Sequence, residues 1–364
     1  MDFRFSDDLL TLQSEVREVA QRAAAGESIR EDSWIRGFSR EFSRELGARG
    51  WLGMLLPREE GGHGRPPIER FVVTEALIEA GAPIGATWVG DRQIGPTLVE
   101  FGTPEQRRRF LPGIIDGTAC WSIGLSEPDA GSDLAAIRTR ATLDGDEWVI
   151  EGQKVWTSFA MDADYVYLVT RTDPEAPPHQ GMSEIIVPFD TPGIEVKPIR
   201  EATGEAHFNE VIFDGARVPA ANLVGALNGS FKQVMRQLEH ERAGIDRLMS
   251  NQAIYRDVLE TVDTSDPLVR QRIADLEIGL RVGRMLVIRE VLKQAPAGFS
   301  AATKVFCTEL MQRIADFIAS VHPESMVWGR RARAICYAPA YSIQGGTSEI
   351  LRNVLAERVL GLPR

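Results

Sequence analysis

The spacing of apolar residues changes twice along this chain, and this change constrains the fold more than any other feature. Through residues 1–117 apolar residues recur every three or four positions, as Leu9 and Leu12 do, which is the period of an amphipathic helix. Residues 118–217 instead contain short runs rich in Val and Thr, separated by Gly, Pro and Asp, which are typical of strands. The helical period returns through residues 218–364. We therefore predict an α+β chain in which a β domain lies between two helical domains.

Local signals mark where several elements begin and turn. Thr103, Pro104 and Gln106 provide an N-cap hydroxyl, a proline at the first helical position and the glutamine of a capping box, so a helix should begin here. Asp144-Gly145 separates two strand-like runs and predicts a hairpin turn. After residue 218 we predict one continuous helix with an apolar face. That face consists of Phe231, Val234, Met235, Leu238, Ile245, Leu248 and Met249.

Charge and composition exclude several classes of function. The formal net charge of −11 disfavours nucleic acid as a partner, since phosphate binding needs a positive field. Cys120, Cys307 and Cys336 have no CxxC spacing, so we expect core thiols rather than a disulfide framework or a structural zinc site. The sequence also lacks the GxGxxG, P-loop, HExxH and GxSxG motifs, and no metal site is predicted.

The opening residues and the hydropathy indicate a protein without a membrane segment. The stretch MDFRFSDDLL has acidic residues before most of its apolar ones, which differs from the basic-then-apolar order of a signal peptide. No apolar run approaches the roughly 20 residues that cross a bilayer. We therefore expect a cytoplasmic protein that binds neither membranes nor nucleic acid.

Three segments carry the functional signal: IGLSEPDAGSD (123–133), WVIEGQKVWTS (148–158) and IQGGTSEILRNVLAERVLGLPR (343–364). Taken singly they are ordinary, because the first has the composition of a turn-rich loop and Trp156 would usually be a core residue. Taken together, in this order along a chain of helical, β and helical regions, the three segments resemble those of the acyl-CoA dehydrogenase family, and the resemblance extends over nearly the whole chain. The resemblance implies an N-terminal α-helical domain, a middle β-barrel or sandwich domain, a C-terminal four-helix-bundle domain and bound FAD.

The resemblance also implies which residues would hold the flavin. Leu125 and Ser126 would contact the ring edge through backbone and hydroxyl groups, and Trp156 would shield one ring face. Thr157 or Ser158 would offer a hydroxyl toward the flavin N5 edge. The alternative for Ser126 and Thr157 is ordinary turn hydrogen bonding. The full set predicted to bind FAD is Leu125, Ser126, Ser132, Trp156, Thr157, Ser158, Gln344, Gly346 and Thr347.

The reaction implied by the resemblance is α,β-dehydrogenation of an acyl-CoA thioester. In it a carboxylate removes the α-proton while the β-hydrogen leaves as hydride to the flavin. In many members of the family that carboxylate is a glutamate directly before Gly-Thr, and this chain has Gly345 there. A second placement known in the family, in a Glu-Arg pair on the helix that opens the C-terminal domain, falls on Glu241. Glu241 is therefore predicted to be the catalytic base.

The residues around Glu241 agree with that role. Glu241 precedes Ile245 by four positions, so on one continuous helix it would interrupt the apolar face and be partly buried. Burial raises the pKa of a carboxyl group, which suits a base. Glu239 would point about 200° further round the helix and is a poorer candidate. The alternative is a structural ion pair of Glu241 with Arg242 or Arg247.

Gly345 would keep a role without a side chain. Its backbone N–H would donate to the thioester carbonyl and stabilise enolate charge, as in an oxyanion hole. The missing side chain also frees volume near the β-carbon, which favours a bulky, branched or ring-bearing acyl group such as a steroid side chain. Ser132, Glu239 and Arg242 are predicted to contact the substrate.

Two segments depart from the family pattern. Family members commonly carry an Arg-x-x-Phe-Gly loop that reaches the FAD of a neighbouring subunit, but residues 260–279 lack Phe-Gly, and Arg270 or Arg272 would have to substitute. Residues 320–342 likewise lack the usual Gln-x-x-Gly-Gly-x-Gly. We therefore expect a hetero- or homotetramer, with a paralogous subunit favoured as the partner that completes the FAD site. An electron-transferring flavoprotein is the expected electron acceptor.

Two other functions stay open at this level. The chain could be a non-catalytic companion subunit of a heteromeric acyl-CoA dehydrogenase, although the retained Glu241 counts against it. It could also be a flavin oxidase or monooxygenase, or catalyse a tailoring dehydrogenation, because oxygen access depends on the geometry of the cavity.

Overall fold

The computed structural model of the chain describes residues 4–25, 31–242, 244–296 and 298–363, without the side chains of residues 238–242 and 325. Its helices are α1 (Asp7–Ala24), α2 (Arg40–Ala48), α3 (Pro67–Glu79), α4 (Gly85–Val89), α5 (Gly95–Phe101), α6 (Pro104–Ile115), α7 (Ser230–Arg242), α8 (Asp246–Met249), α9 (Gln252–Leu259), α10 (Pro267–Val291), α11 (Phe299–Val321), α12 (Arg330–Tyr341) and α13 (Ser348–Val354). Its strands are β1 (Trp121–Gly124), β2 (Arg140–Asp144), β3 (Glu147–Ser158), β4 (Tyr165–Arg171), β5 (Met182–Pro188), β6 (Ile194–Ile199), β7 (Phe208–Pro219) and β8 (Leu223–Val224). Strands separate two helical regions, so the predicted α+β architecture is confirmed.

The N-terminal helices follow the sequence signals. The Thr103 hydroxyl accepts from the backbone N–H of Gln106, and the Gln106 side chain accepts from the N–H of Thr103, so the predicted capping box of α6 is confirmed. Helix α1 begins directly after Ser6, whose side chain makes no capping bond. Val16 on the inner face of α1 is fully buried.

The strands form one connected sheet in the order β6, β7, β3, β2, β4, β5, β8, with β1 parallel to β4. Strands β2 and β3 form the predicted hairpin, and Gly145 in its turn has a φ of +64°, a conformation that favours glycine. Strand β7 continues to Pro219 and β8 pairs with β5, so the sheet extends past residue 217. The domain boundaries at 117 and 217 stay predictions.

The predicted continuous helix after residue 218 is wrong, because α7 and α8 are separate helices divided at Gly244. A Cβ on Gly244 would overlap the Asp246 carboxylate and the Arg92 guanidinium, which form a buried ion pair beside the chain. The break separates Ile245 from the face of α7. The apolar face is therefore not continuous across residues 231–249. The partial burial of Glu241 was predicted from that continuous face, so this argument for burial no longer holds.

The two helical regions share one hydrophobic core. Val16 of α1 and Val72 of α3 belong to the same buried cluster as Leu310 and Phe317 of α11. The sheet has a core of its own, which includes Ile150, Val187 and Val211. This shared core places the C-terminal helices, with the motif that follows them, against the N-terminal helices.

Two smaller findings concern the cysteines and the membrane. Cys120 and Cys307 are buried as expected, but Cys336 is exposed, so the prediction of a core thiol is wrong there. Within the described ranges, no helix is both long enough and apolar enough to cross a membrane.

Candidate active site

Strand β3 carries a bulge in the middle of the second motif segment. Its register against β7 shifts between Lys154 and Thr157, so the stretch through Val155 and Trp156 contains one extra residue. Trp156 adopts a φ of +61°, which is unfavourable for an aromatic residue, and its side chain is 56% exposed. The bulge therefore presents a flat apolar ring at the surface, where it can cover one face of a planar ligand.

Thr157 follows the bulge and is buried. Its hydroxyl has no hydrogen-bond partner among the described residues, while its carbonyl accepts from Asn209 Nδ2 at 3.0 Å. A buried hydroxyl left unpaired costs about 1–3 kcal/mol. Ser158 is only partly buried, and its carbonyl accepts from the Ser122 hydroxyl at 2.7 Å. Of the two predicted hydroxyls, that of Thr157 is the better candidate for the flavin, because a hydrogen bond to a ligand would remove the free-energy cost of burying it unpaired.

A buried ion pair joins the first two motif segments. The Lys154 ammonium group, 0% exposed, donates to Glu127 Oε1 at 2.8 Å and to the Leu125 carbonyl at 3.0 Å. Glu127 also accepts from the backbone N–H groups of Arg138 and Thr139. Burial lowers the pKa of Lys154 to about 8, although the charge of Glu127 opposes the shift. This pair was not predicted from the sequence.

The first motif segment lies against the bulge along part of its length. The Ser126 carbonyl accepts from the N–H of Val155 at 2.9 Å, and Leu125 packs into an apolar cluster with Ala130. Ser132 lies farther along the loop and is exposed. The structure thus brings Leu125 and Ser126 next to the bulge and places Ser132 at the surface.

A series of ring contacts links the bulge to the C-terminal helices. Trp156 meets Phe208 edge-on with centroids 5.8 Å apart, and Phe208 lies 4.0 Å from the ring of His207. The ring of His207 is 5.8 Å from that of Tyr337, which is 5.5 Å from the ring of Tyr341. Tyr341 ends α12, the helix directly before the third motif segment. The second and third segments therefore belong to one packed region.

The loop after α12 is shaped by glycines and held by α11. Gly345 and Gly346 have φ values of +70° and +99°, which strain any residue with a Cβ. Lys304 of α11 is fully buried and donates to the Gly346 carbonyl at 2.9 Å. Gln312 of the same helix donates to the Ser342 hydroxyl at 2.9 Å. One helix thus fixes both ends of the loop, a role for Lys304 and Gln312 that was not predicted from the sequence.

The side chains of this loop differ in their bonding. Gln344 Nε2 is buried without a hydrogen-bond partner among the described residues, so it is a second polar group that a ligand could satisfy. The Thr347 hydroxyl accepts from the N–H of Ile350 and caps α13. That bond uses a lone pair of Thr347 and leaves the hydroxyl proton out of the cap.

A buried carboxyl group beside the same region was also not predicted. Tyr341 donates to Asp32 Oδ2 at 2.5 Å, and its hydroxyl lies 3.1 Å from Asn251 Oδ1. Burial raises the pKa of Asp32 to about 7, with the Tyr341 hydrogen bond and the charge of Arg36 opposing the shift. The run of polar residues around Asp32 resembles an exposed loop, so no local signal marks its burial.

The predicted base lies outside the described side chains. Glu239, Glu241 and Arg242 belong to the last turn of α7, for which the structure describes the backbone alone. Arg247, the other proposed ion-pair partner, stacks over the Trp34 ring, with its guanidinium carbon 4.9 Å from the centroid. The role of Glu241 as base and its alternative as a structural ion pair both stay predictions.

The two arginines proposed to reach a neighbouring subunit are engaged within the chain. Arg270 donates to the carbonyls of Thr264 and Ser265 at 2.7 and 2.8 Å. Arg272 donates to the Ser320 hydroxyl at 2.7 Å. These bonds use one terminal nitrogen of each guanidinium group, so each arginine keeps further N–H donors for another contact.

Comparison with protein families gives matches along nearly the whole chain. The profile described as acyl-CoA dehydrogenase, N-terminal domain, matches residues 6–118. The profiles of the middle and C-terminal domains of the same family match residues 122–216 and 228–360.

Individual relatives and solved structures agree with those profiles. The acyl-CoA dehydrogenase IpdE1 of Mycobacterium tuberculosis is 38% identical over 343 residues, which cover 89% of this chain and 88% of that protein. The solved structure of the Tcur3481-Tcur3483 steroid ACAD superposes with a TM-score of 0.91 at 34% identity, covering 100% of both chains. The ChsE4-ChsE5 complex from Mycobacterium tuberculosis superposes with a TM-score of 0.87 at 31% identity, again over 100% of both chains.

Proposed function

The chain belongs to the acyl-CoA dehydrogenase family, whose members are FAD-dependent oxidoreductases, and on that premise we propose that it introduces an α,β double bond into an acyl-CoA thioester. FAD, when bound, supplies the acceptor for the β-hydrogen, which it takes up as hydride. The observation that carries the proposal is the β3 bulge, where the exposed Trp156 is followed by Thr157, whose buried hydroxyl has no partner in the described part of the chain.

The described residues fit a flat ring with a polar edge. Trp156 offers apolar cover for one face, and the carbonyls of Leu125 and Ser126 accept from the two residues of β3 that precede it. Thr157 Oγ1 and Gln344 Nε2 are buried donors without partners among the described residues, so acceptor atoms on a ligand edge would offset the cost of both. The isoalloxazine of FAD carries nitrogen and carbonyl acceptors along one edge, which suits these donors.

In the proposed reaction the base comes from α7, because the C-terminal loop cannot supply it. Gly345 has no side chain, and its φ of +70° would strain a glutamate in its place by about 1–3 kcal/mol. Glu241 receives the α-proton. The N–H of Gly345 donates to the thioester carbonyl as negative charge develops on it. Glu239, Arg242 and Ser132 contact the CoA thioester away from the reacting carbons.

We propose a bulky acyl group, with branches or rings of the kind found in steroid side chains. The support is the volume that a glycine at position 345 leaves open, together with the similarity to the Tcur3481-Tcur3483 protein, which is named a steroid enzyme. Pocket volume discriminates acyl groups because a steric clash or an unfilled space costs about 1–3 kcal/mol per methylene.

We propose that a paralogous subunit completes the enzyme as a heterotetramer, with a homotetramer as the alternative. Met326, Val327 and Trp328 are 56%, 79% and 83% exposed, in the segment that departs from the family pattern. A cluster of exposed large apolar side chains marks an interaction surface. The similar ChsE4-ChsE5 structure is named as a complex of two proteins. An electron-transferring flavoprotein is the proposed electron acceptor.

Replacing Thr157 with valine tests the flavin site. Because its hydroxyl has no partner within the described ranges, we expect Thr157→Val to leave the stability of the FAD-free protein unchanged or raise it. The same change should weaken FAD binding roughly 5- to 10-fold, the value of one lost hydrogen bond. Urea unfolding measures the first effect and FAD titration the second.

The dehydrogenase proposal is tested on the wild-type protein, to which acyl-CoA is added in the absence of oxygen. We expect the acyl-CoA to bleach the flavin absorbance. If the chain alone retains little FAD, the experiment uses the chain co-purified with its partner.

Thr139→Val is the matched control, because the buried Thr139 hydroxyl donates to the Gln153 carbonyl at 3.1 Å. Removing this hydroxyl breaks the bond and should lower the stability of the protein. If Thr157→Val lowered stability and left FAD affinity intact, the hydroxyl would belong to the fold and not to the flavin. Failure of every acyl-CoA tested to bleach a fully loaded flavin would overturn the dehydrogenase proposal.

Substrate preference should depend on position 345. We expect the wild-type protein to oxidise ring-bearing or branched acyl-CoAs with a kcat/KM at least about 10-fold above that for straight medium chains. Gly345→Ala strains the loop at a φ of +70° whichever substrate is bound, but its methyl group also occupies the open volume, so kcat/KM should fall more for the bulky substrates than for the straight ones. A strong preference of the wild-type protein for straight medium chains would contradict the idea.

A further inference from the structure

Glu184 of β5 is a fully buried carboxyl group for which the proposed reaction has no use. Its Oε2 accepts from the Tyr167 hydroxyl at 2.8 Å and from Gln233 Nε2 at 2.5 Å, and its Oε1 accepts from Gln237 Nε2 at 3.0 Å. These three donors are neutral groups, and burial raises the pKa of Glu184 to about 7 even though all three bonds oppose the shift. A carboxyl group this costly to bury needs an explanation.

The network attaches α7 to the sheet at two points. Gln233 and Gln237 are four residues apart, so they leave the same face of the helix in successive turns. Both bond to one carboxyl group, which sets the rotation of α7 about its axis and its position along that axis. Elsewhere α7 packs through Val234 into an apolar cluster with Val169 and Met182. Such contacts fill space but have no preferred direction.

The chain before α7 is shaped to admit this network. Gly225 has a φ of +72°, and a Cβ there would overlap the side-chain oxygen of Gln233. Gln233 Nε2 also lies 3.3 Å from the Val224 carbonyl, and Val224 pairs with Glu184 across β8 and β5. The edge strand, the helix start and the carboxyl group therefore form one unit.

We propose that Glu184 is a positioning residue that sets the placement of Glu241. Position 241 follows Gln237 by four residues, the same spacing that separates Gln237 from Gln233, so the carboxyl group fixes the helix face on which position 241 lies. The inference rests on the proposed function, in which Glu241 is the base. Displacing a reacting group by about 1 Å costs on the order of 100-fold in rate, so this anchoring affects catalysis directly.

The test replaces the whole network by apolar groups of similar size, in a variant that carries Tyr167→Phe, Glu184→Met, Gln233→Met and Gln237→Met. We expect its unfolding midpoint in urea to stay close to that of the wild type, because the carboxyl group and its three donors are removed together and only the Val224 carbonyl loses a bond. With the register of α7 no longer specified, kcat should fall on the order of 100-fold with little change in KM. The deuterium isotope effect with α-deuterated acyl-CoA should rise, since proton removal becomes slower.

Two further variants guard against a merely structural result. Glu184→Ala removes the acceptor shared by Tyr167, Gln233 and Gln237, so it should lower the unfolding midpoint. Per flavin-loaded molecule, it should also lower kcat and raise the isotope effect. Thr170→Val is the matched control on β4, because it removes a buried hydroxyl whose bond runs to the Ser183 carbonyl within the sheet. It should change neither kcat nor the isotope effect.

The outcomes separate this inference from the proposed function. Suppose that the fourfold variant and Glu184→Ala both keep the wild-type kcat and isotope effect, while Glu241→Gln is inactive. Glu184 then only stabilises the fold, so the positioning inference fails while the proposed function stands. If Glu241→Gln itself stays active, the proposed base is wrong and the inference falls with it.

Discussion

Glu241→Gln should lower kcat for acyl-CoA dehydrogenation by about 100- to 10,000-fold while FAD stays bound. Glutamine keeps the size and shape of glutamate but cannot accept the α-proton at neutral pH. No carboxylate on the C-terminal loop can take over at the usual place, because position 345 is glycine. The rate is measured at saturating acyl-CoA with an artificial electron acceptor, and the FAD content is read from the visible absorbance of the same samples.

Glu260→Gln is the matched control for that measurement. It makes the same change of charge at an exposed site at the end of α9, so it should leave kcat within about twofold of the wild type. Glu241→Gln with more than roughly a tenth of the wild-type kcat and a full complement of FAD would place the base elsewhere and favour the structural ion pair with Arg242 or Arg247.

Features whose cause lies within a few residues could be predicted from the sequence. The capping box of Thr103 and Gln106 depends on two bonds between residues three positions apart, and both are present. The hairpin at Gly145 depends on one residue that tolerates a positive φ. The succession of helices, strands and helices depends on apolar periodicity, which is again local.

Features whose cause lies far along the chain could not be predicted. The break between α7 and α8 lies beside the ion pair of Arg92 and Asp246, which are 154 residues apart. The exposure of Trp156 reflects a bulge that appears only when β3 is paired with β7. From local composition alone, residues 231–249 favour one long helix and Trp156 favours a place in the core.

The ion pair of Lys154 and Glu127 is an intermediate case. Lys154 shares the alternation of Trp148 and Ile150, both of which face the core of the sheet, so the pattern of β3 does place a charged residue on the inner face. Its partner lies 27 residues earlier, in a loop whose composition predicts only turns. A buried lysine was thus foreseeable from the strand pattern, while its partner was not.

Because of that pair, Lys154→Met should lower the free energy of unfolding by about 3–5 kcal/mol. The substitution leaves the Glu127 carboxylate buried without its cation and removes the bond to the Leu125 carbonyl. Two backbone N–H groups still donate to Glu127, so we expect a value near the lower end of that range. The measurement is urea unfolding of the FAD-free protein at neutral pH, followed by fluorescence.

Two control variants decide whether the loss belongs to the uncompensated charge. Arg140→Met breaks an ion pair with Glu151 on the same sheet, but these side chains are 57% and 52% exposed, so the cost should stay below about 1 kcal/mol. The double variant Lys154→Met with Glu127→Gln removes both charges and should recover much of the stability lost by Lys154→Met alone. If Lys154→Met cost less than Arg140→Met, the buried pair would not hold the first motif segment against the bulge, and the placement of Leu125 and Ser126 next to the bulge would need another cause.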